Sequence, residues 1–245
     1  MRSALITGAN KGIGFEVTKQ LVQKGFYVYL GSRDFKKGLE AVEQLKSRGL
    51  DTVEPILLDV TDENSVRTAR EEIGKKTDML DILINNAGIN GGMPYTALEA
   101  GTDQFMAAFN TNVFGVARVT QAFIDLLRKS TAPRIVNVST SVGSLSLQSN
   151  PSWPAYEYAK YAVYGSSKAA MNMYTVHLAY ELRNTAFKVN AVCPGYTKTD
   201  FTGNNGGEVE VAGKRIVKYA LIDQNGPSGK FFSEESNPET GEIPW

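Results

Sequence analysis

Short apolar runs alternate with longer stretches in which apolar positions recur every three to four residues, and this alternation persists over most of the chain. The runs at 3–7, 26–30, 54–58, 80–84, 134–139 and 187–192 carry Ile, Val and Leu at both odd and even positions. A strand that is apolar on both faces must be covered on both faces, as a parallel strand between two helix layers is. Between these runs, the helical period predicts helices over 13–24, 35–48, 64–75, 102–128 and 163–183. Strand–helix alternation of this kind predicts an α/β fold with a doubly wound parallel sheet in a three-layer αβα arrangement. Right-handed crossovers then gather the ligand-bearing loops at the carboxyl ends of the strands.

The pattern breaks at 203–213 (GNNGGEVEVAG), which reads as a mobile loop over a substrate. A short strand is offered by 230–233, and the Pro- and Glu-rich remainder reads as irregular. With no internal repeat and no linker, a single domain over 1–245 is expected.

Composition narrows the chemistry. Lys plus Arg (26) balance Asp plus Glu (26), so no basic field exists for nucleic acid or an anionic membrane. The single cysteine, Cys193, cannot form an intrachain disulfide, and with His177 alone it cannot build a zinc site, so no metal is expected. A Ser-His-Asp or Cys-His hydrolase would have to use His177. No apolar run reaches the roughly 18 residues of a membrane span, and the N-terminal run is too short for a signal peptide. A cytoplasmic protein with a small-molecule ligand is the expectation.

Directly after the first predicted strand comes Thr7-Gly8-Ala9-Asn10-Lys11-Gly12-Ile13-Gly14. Glycines at 8, 12 and 14 permit a tight turn and close approach of the backbone to a pyrophosphate, and the following helix N-terminus favours an anion. The spacing differs from the common dinucleotide fingerprint, so its place between a strand and a helix carries the weight. At the tip of the second strand stand Ser32 and Arg33, where an acidic residue would meet ribose hydroxyls and an arginine a 2′-phosphate. Arg33 with Lys11 favours NADP(H); Asp34, beyond the arginine, suits a helix N-cap.

Two Tyr-x-x-x-Lys pairs overlap in 155–171: Tyr156 with Lys160, and Tyr164 with Lys168. On a helix, such a pair shares a face. An ammonium near a phenol stabilises its ionised form, which makes tyrosine a usable acid or base without histidine. The small residues around the second pair single out Tyr164 and Lys168. Tyr156, Tyr158 and Tyr161 are expected to line the pocket or cover the helix start.

Taken together, Thr7-Gly8-x3-Gly12-Ile13-Gly14, Leu58-Asp59-Val60, Asn85-Asn86-Ala87-Gly88, Asn112, Val138-Ser139-Thr140-Ser141-x-Gly143, Tyr164-x3-Lys168 and Pro194-Gly195-x3-Thr199 span nearly the whole chain in order. This set resembles the short-chain dehydrogenase/reductase family. It is most similar to the carbonyl-reductase-like members, among them the plant menthone and salutaridine reductases. The resemblance implies a Rossmann fold and reduction of a ketone or aldehyde by NADPH. It makes Tyr164 the proton donor and Lys168 the ribose ligand that lowers the tyrosine pKa. Asn112 would position a water in a proton relay, and Asp59 and Val60 would contact adenine. Asn86, Ala87 and Gly88 would wall the cofactor, beside Asn10 and Ile13. Pro194, Gly195, Thr197 and Thr199 would hold the carboxamide end.

Two departures stand out. Thr140 occupies the place of the family serine; it keeps the hydroxyl but adds a methyl that stiffens the side chain. Ser139 or Ser141 would serve if the register shifted by one. Only residues 144–163 separate Gly143 from Tyr164, where monomeric carbonyl reductases carry a long insertion that covers the pairing helices. A homodimer or homotetramer is therefore expected. Trp153, Tyr196 and Phe201, with Met93 and Tyr95, fall in segments that would border a carbonyl substrate with an apolar body. An NAD-dependent alcohol dehydrogenase and a non-catalytic dinucleotide sensor or scaffold remain the alternatives.

Overall fold

The apolar runs become the strands of one sheet: β1 (Ser3–Ile6), β2 (Tyr27–Ser32), β3 (Val53–Leu57), β4 (Ile82–Asn85), β5 (Arg134–Val138) and β6 (Lys188–Val192). A two-residue strand, β7 (Phe231–Phe232), completes it within the 230–233 segment. The computed structural model describes all 245 residues. The strand order is β3-β2-β1-β4-β5-β6-β7, and every pairing is parallel. The order reverses between β1 and β4, which opens a crevice outside their carboxyl ends.

Alternate side chains of each strand feed two separate cores. On one face, Ala4 and Ile6 pack with Val17, Leu21, Leu45 and Ile216. These come from α1 (Gly12–Gln23), α2 (Phe35–Lys46) and α8 (Val209–Ala220). On the other face, Leu5 packs with Ile73, Phe123 and Ala179. Those belong to α3 (Glu63–Gly74), α5 (Gly115–Leu127) and α7 (Ala162–Glu181). This double burial is why the strands carry apolar residues at both odd and even positions. Two aspartates fix helix starts: the Asp34 side chain accepts from Lys37 N on α2, and that of Asp62 from Asn64 N on α3.

Two elements differ from the sequence expectation. The long helix over 102–128 is divided into α4 (Thr102–Phe109) and α5 by a wider π turn at Asn110–Phe114. There Gly115 N donates to Asn110 O, five residues back. An inserted residue of this kind leaves the apolar period nearly intact, so periodicity does not reveal it. The segment 203–213 is not one loop. Its first half folds back in a turn, in which Gly207 N donates to Tyr196 O (2.8 Å) and Lys198 N to Gly207 O (2.9 Å). Its second half begins α8, whose Gly213 lets the helix approach Glu16 and Gln20 of α1 closely. The glycines masked the helical spacing of Ala212, Ile216 and Val217. No helix is long and apolar enough to cross a membrane.

Candidate active site

The crevice is built on a joint between the ends of β1 and β4. The Thr7 hydroxyl oxygen accepts from Asn86 N and Ala87 N, both at 3.0 Å. In return the Asn86 side-chain amide donates to Thr7 O (2.9 Å) and Gly8 O (3.0 Å). The two loops approach so closely that side chains are excluded. Gly8 has φ +61°, and a Cβ there would lie 2.9 Å from Ala87 Cα; one on Gly14 would lie 2.5 Å from Asn86 Nδ2. Ala9 N is tied to Gly31 O at 2.9 Å. The α1 N-terminus has no side-chain cap at Lys11, so its first-turn N–H groups face the crevice without intrahelical partners. A glycine-walled cradle with free donors fits a pyrophosphate.

Past Gly88 the wall reaches Asn112, which sits in the π turn and is fully buried. Its Oδ1 accepts from Ile89 N (2.9 Å), and its Nδ2 donates to Ile89 O (2.8 Å) and Ser167 Oγ (2.9 Å). Ser167 in turn donates to Tyr164 O at 2.8 Å. Asn112 thus ties the cradle wall to α7 beside Tyr164 and Lys168. A Cβ on Gly88 would stand 3.3 Å from Asn112 Oδ1 and 3.6 Å from Lys168 Nζ.

The Lys168 ammonium is buried; it donates to Val138 O at 2.7 Å and lies 5.9 Å from the centre of the Tyr164 ring. Desolvation pulls its pKa down to about 8. Burial also pushes the Tyr164 phenol up from its ordinary value. Removal from water disfavours tyrosinate and sets the direction of this shift; the lowering by Lys168 that the resemblance implies has no part in it. Tyr164 is therefore protonated at neutral pH.

The turn after β5 brings Thr140 to the site. Its Oγ1 accepts from Val142 N at 3.2 Å, which leaves the hydroxyl hydrogen free. Ser139 does not serve in its place: it is buried, and its hydroxyl donates to Asn172 Oδ1 at 2.7 Å. Ser141 begins the short turn Ser141–Gly143 and is half-buried. Phe201 packs on the Tyr164 ring with centroids 5.3 Å apart, and with Tyr196 it is exposed, forming an apolar rim. Trp153 is buried and does not join that open rim. Tyr95 meets Tyr161 edge-on, and Met93 is exposed. The other Tyr-x-x-x-Lys pair lies outside any helix; Lys160 Nζ sits 3.7 Å over the Tyr156 ring and donates to Gln148 O at 2.9 Å.

The loop after β6 closes the far end. Thr199 packs against Gly12, where a Cβ would be 3.3 Å from Thr199 Cγ2. Thr197 is buried with its hydroxyl on Gly195 O at 2.9 Å, so it shapes the loop from within. Lys11 does not meet Arg33 here; its Nζ pairs with Asp200 Oδ2 at 2.8 Å, both groups largely exposed. An exposed pair of this kind is weak and exchangeable. Arg33 is exposed beside the buried Ser32, whose hydroxyl donates to Asp34 O at 2.8 Å. Asp59 Oδ1 accepts from Thr61 N and Oγ1, which orients the loop at Val60.

Sequence reasoning missed Ser167, Asn172, Arg215 and Glu235. Arg215 Nη1 donates to Pro194 O (2.8 Å), and Tyr196 N donates to Glu235 Oε2 (3.0 Å), so both brace the far loop. Asn172 had a legible signal, a polar residue four positions after Lys168 on the same helix face. Arg215 and Glu235 had none, because only the fold brings them to Pro194.

Comparison with known proteins agrees with this geometry. The family model described as short chain dehydrogenase matches residues 2–209. The chain is similar to (+)-neomenthol dehydrogenase of Capsicum annuum, 36% identical over 304 residues, covering 94% of this chain and 95% of the relative. That span exceeds the length of this chain, so the relative carries residues that this one lacks. Among solved structures, salutaridine reductase of Papaver somniferum superposes with a TM-score of 0.83 at 32% identity, covering 95% of this chain and all of that one. The NADPH-bound carbonyl reductase from chicken fatty liver gives 0.83 at 26% identity, with 100% and 99% covered.

Burying Lys168 has a measurable consequence. The fall in pKa from 10.5 to about 8 corresponds to a cost of about 3 kcal/mol at neutral pH. Below pH 8 both folded and unfolded chains carry the proton, and the cost is whole. Between pH 8 and 10.5 the folded chain has lost the proton and the unfolded chain still binds it, so stability from this group rises with pH. Urea denaturation should therefore find Lys168→Met at least as stable as wild type at pH 7, with its relative advantage shrinking by pH 10. A less stable variant at pH 7 would contradict this account.

Proposed function

The chain belongs to the short-chain dehydrogenase family, and on that premise we propose that it reduces a ketone or aldehyde to an alcohol with NADPH. The observation that carries this reading is the buried Lys168 ammonium beside the Tyr164 ring, next to the glycine-walled cradle. When bound, the reduced nicotinamide supplies the hydride for the carbonyl carbon. Tyr164 gives its phenolic proton to the carbonyl oxygen, and its raised pKa keeps that proton in place until the transfer. Thr140 donates a hydrogen bond to the same oxygen as negative charge develops there. Lys168 holds a ribose hydroxyl and stabilises the phenolate that Tyr164 becomes. Asn112 keeps the π turn open for the water that returns a proton through Lys168.

For the cofactor, Gly8, Asn10, Gly12, Ile13 and Gly14 cradle the pyrophosphate, while Asn86, Ala87 and Gly88 wall it. Asp59 and Val60 meet the adenine. Pro194, Gly195, Thr197 and Thr199 frame the carboxamide end, braced by Arg215 and Glu235. Ser32 and Arg33 take the 2′-phosphate, and Lys11 exchanges Asp200 for it. The substrate presents an apolar body to Tyr196 and Phe201. Neomenthol dehydrogenase and salutaridine reductase among the relatives support a cyclic or polycyclic carbonyl compound.

Two copies of the chain pair through α4, α5 and α7. Met173, His177 and Tyr180 are exposed along one face of α7, and Met106 and Phe114 are exposed beside α5. Apolar residues at helical spacing on an uncovered helix pair support an interface between copies.

Three measurements test these assignments. Against a panel of aldehydes and ketones, Tyr164→Phe should bind NADPH but lose roughly 100-fold or more in turnover; wild-type turnover would refute the mechanism. Arg33→Ala should weaken NADPH binding by about tenfold while leaving NADH unaffected, as the loss of a charge-assisted bond to phosphate requires; equal loss for both would return the choice to an NAD enzyme. Sedimentation should give a multiple of the 26.7 kDa chain mass, and a single-chain mass would remove the dimer.

A further inference from the structure

One side chain outside the motifs holds the Thr140 turn at both of its ends. Asn172 lies on α7, buried, four residues after Lys168 and eight after Tyr164. Residues at these intervals project from one helix face. Its Oδ1 accepts from Ser139 Oγ at 2.7 Å, and its Nδ2 donates to Gly143 O at 3.2 Å. Only Thr140, Ser141 and Val142 lie between the two anchored positions. An amide is the one small side chain that can accept from a hydroxyl and donate to a carbonyl at once; a carboxylate cannot donate, and a hydroxyl cannot span both.

The rest of the turn is already fitted to the helix. A Cβ on Gly143 would stand 2.8 Å from Lys168 Cβ and 3.0 Å from its carbonyl carbon, so the turn rests on the Lys168 backbone. Contact of that kind prevents the turn from sinking inward but leaves it free to slide along α7 or tilt. The two bonds to Asn172 remove those freedoms. The Thr140 hydroxyl oxygen is held by Val142 N inside the turn, so its position follows wherever the turn is fixed. Ser139, buried and bonded inward, is part of this fastening rather than of the substrate face.

We infer that Asn172 is a positioning residue that sets the Thr140 hydroxyl against Tyr164 and Lys168. The inference rests on the role given to Thr140 above. A purely structural Asn172 would affect stability, with any effect on turnover independent of Thr140. A positioning Asn172 acts on turnover through Thr140 alone.

The test is a double-substitution cycle in the full chain, with para-nitrobenzaldehyde and NADPH as probes and NADPH affinity measured separately. Thr140→Val should lower kcat by roughly 100-fold, the usual effect of losing one donor to a developing oxyanion. Asn172→Ala should lower kcat by about tenfold, with the Kd for NADPH unchanged, because misplacement of a catalytic group by a fraction of an ångström suffices. In the Thr140→Val background, Asn172→Ala should cost no further turnover. Unchanged kcat in Asn172→Ala, or the same loss again in the Thr140→Val background, overturns the inference while leaving the reductase reading intact. Should Thr140→Val itself leave kcat unchanged, the role of Thr140 fails and the inference fails with it. Should Asn172→Ala not fold, Ser139→Ala removes one of the two bonds and must lower kcat in the same Thr140-dependent way; an unchanged kcat there overturns the inference equally.

Discussion

The joint between the ends of β1 and β4 sets the rest of the site. Four hydrogen bonds between Thr7, Gly8, Asn86 and Ala87 pull two loops to within backbone contact. That contact fixes the glycine turn on one side and the 86–89 wall on the other. Ile89 then holds Asn112 through both its N–H and its carbonyl, and Asn112 holds Ser167 on α7. A chain of buried polar contacts thus runs from the phosphate end to the catalytic end. Each link is satisfied by a specific partner, which is what makes a buried polar network rigid rather than merely costly.

Against this rigid frame the protein keeps one unfavourable feature. A buried ammonium beside a half-buried phenol costs stability, and a hydrocarbon in its place would pack at lower cost. Lys168 is retained in the ammonium form by one backbone carbonyl, that of Val138, at the end of β5. The strand that supplies this carbonyl also leads into the Thr140 turn, so one backbone segment places both Lys168 and Thr140. Burial raises the phenol and lowers the ammonium, so that at neutral pH the phenol holds its proton more firmly than the ammonium does.

The substrate side is built on a different principle. Phe201 rests on the Tyr164 ring from a short turn that Asp200 links to Lys11 in the glycine loop. An exposed ion pair is the weakest of the fastenings here, and it joins the turn that begins at Asp200 to the glycine loop.

Sequence alone determined the sheet, most of the flanking helices, the glycine turn, the Tyr164–Lys168 pair and the family, because each depends on residue spacing along the chain. Alternating apolar runs record burial on two faces; a four-residue interval records a shared helix face. The tertiary structure decided what spacing does not encode. It split the helix over 102–128 at Asn112, because a π turn adds a residue without disturbing the apolar face. It turned Ser139 inward and left the Thr140 hydroxyl hydrogen free, because Asn172 arrives from an element 33 residues away in sequence. It brought Arg215 and Glu235 behind Pro194 and paired Lys11 with Asp200. It also raised the phenol, since desolvation depends on everything that surrounds a group and not on its nearest neighbour in the chain.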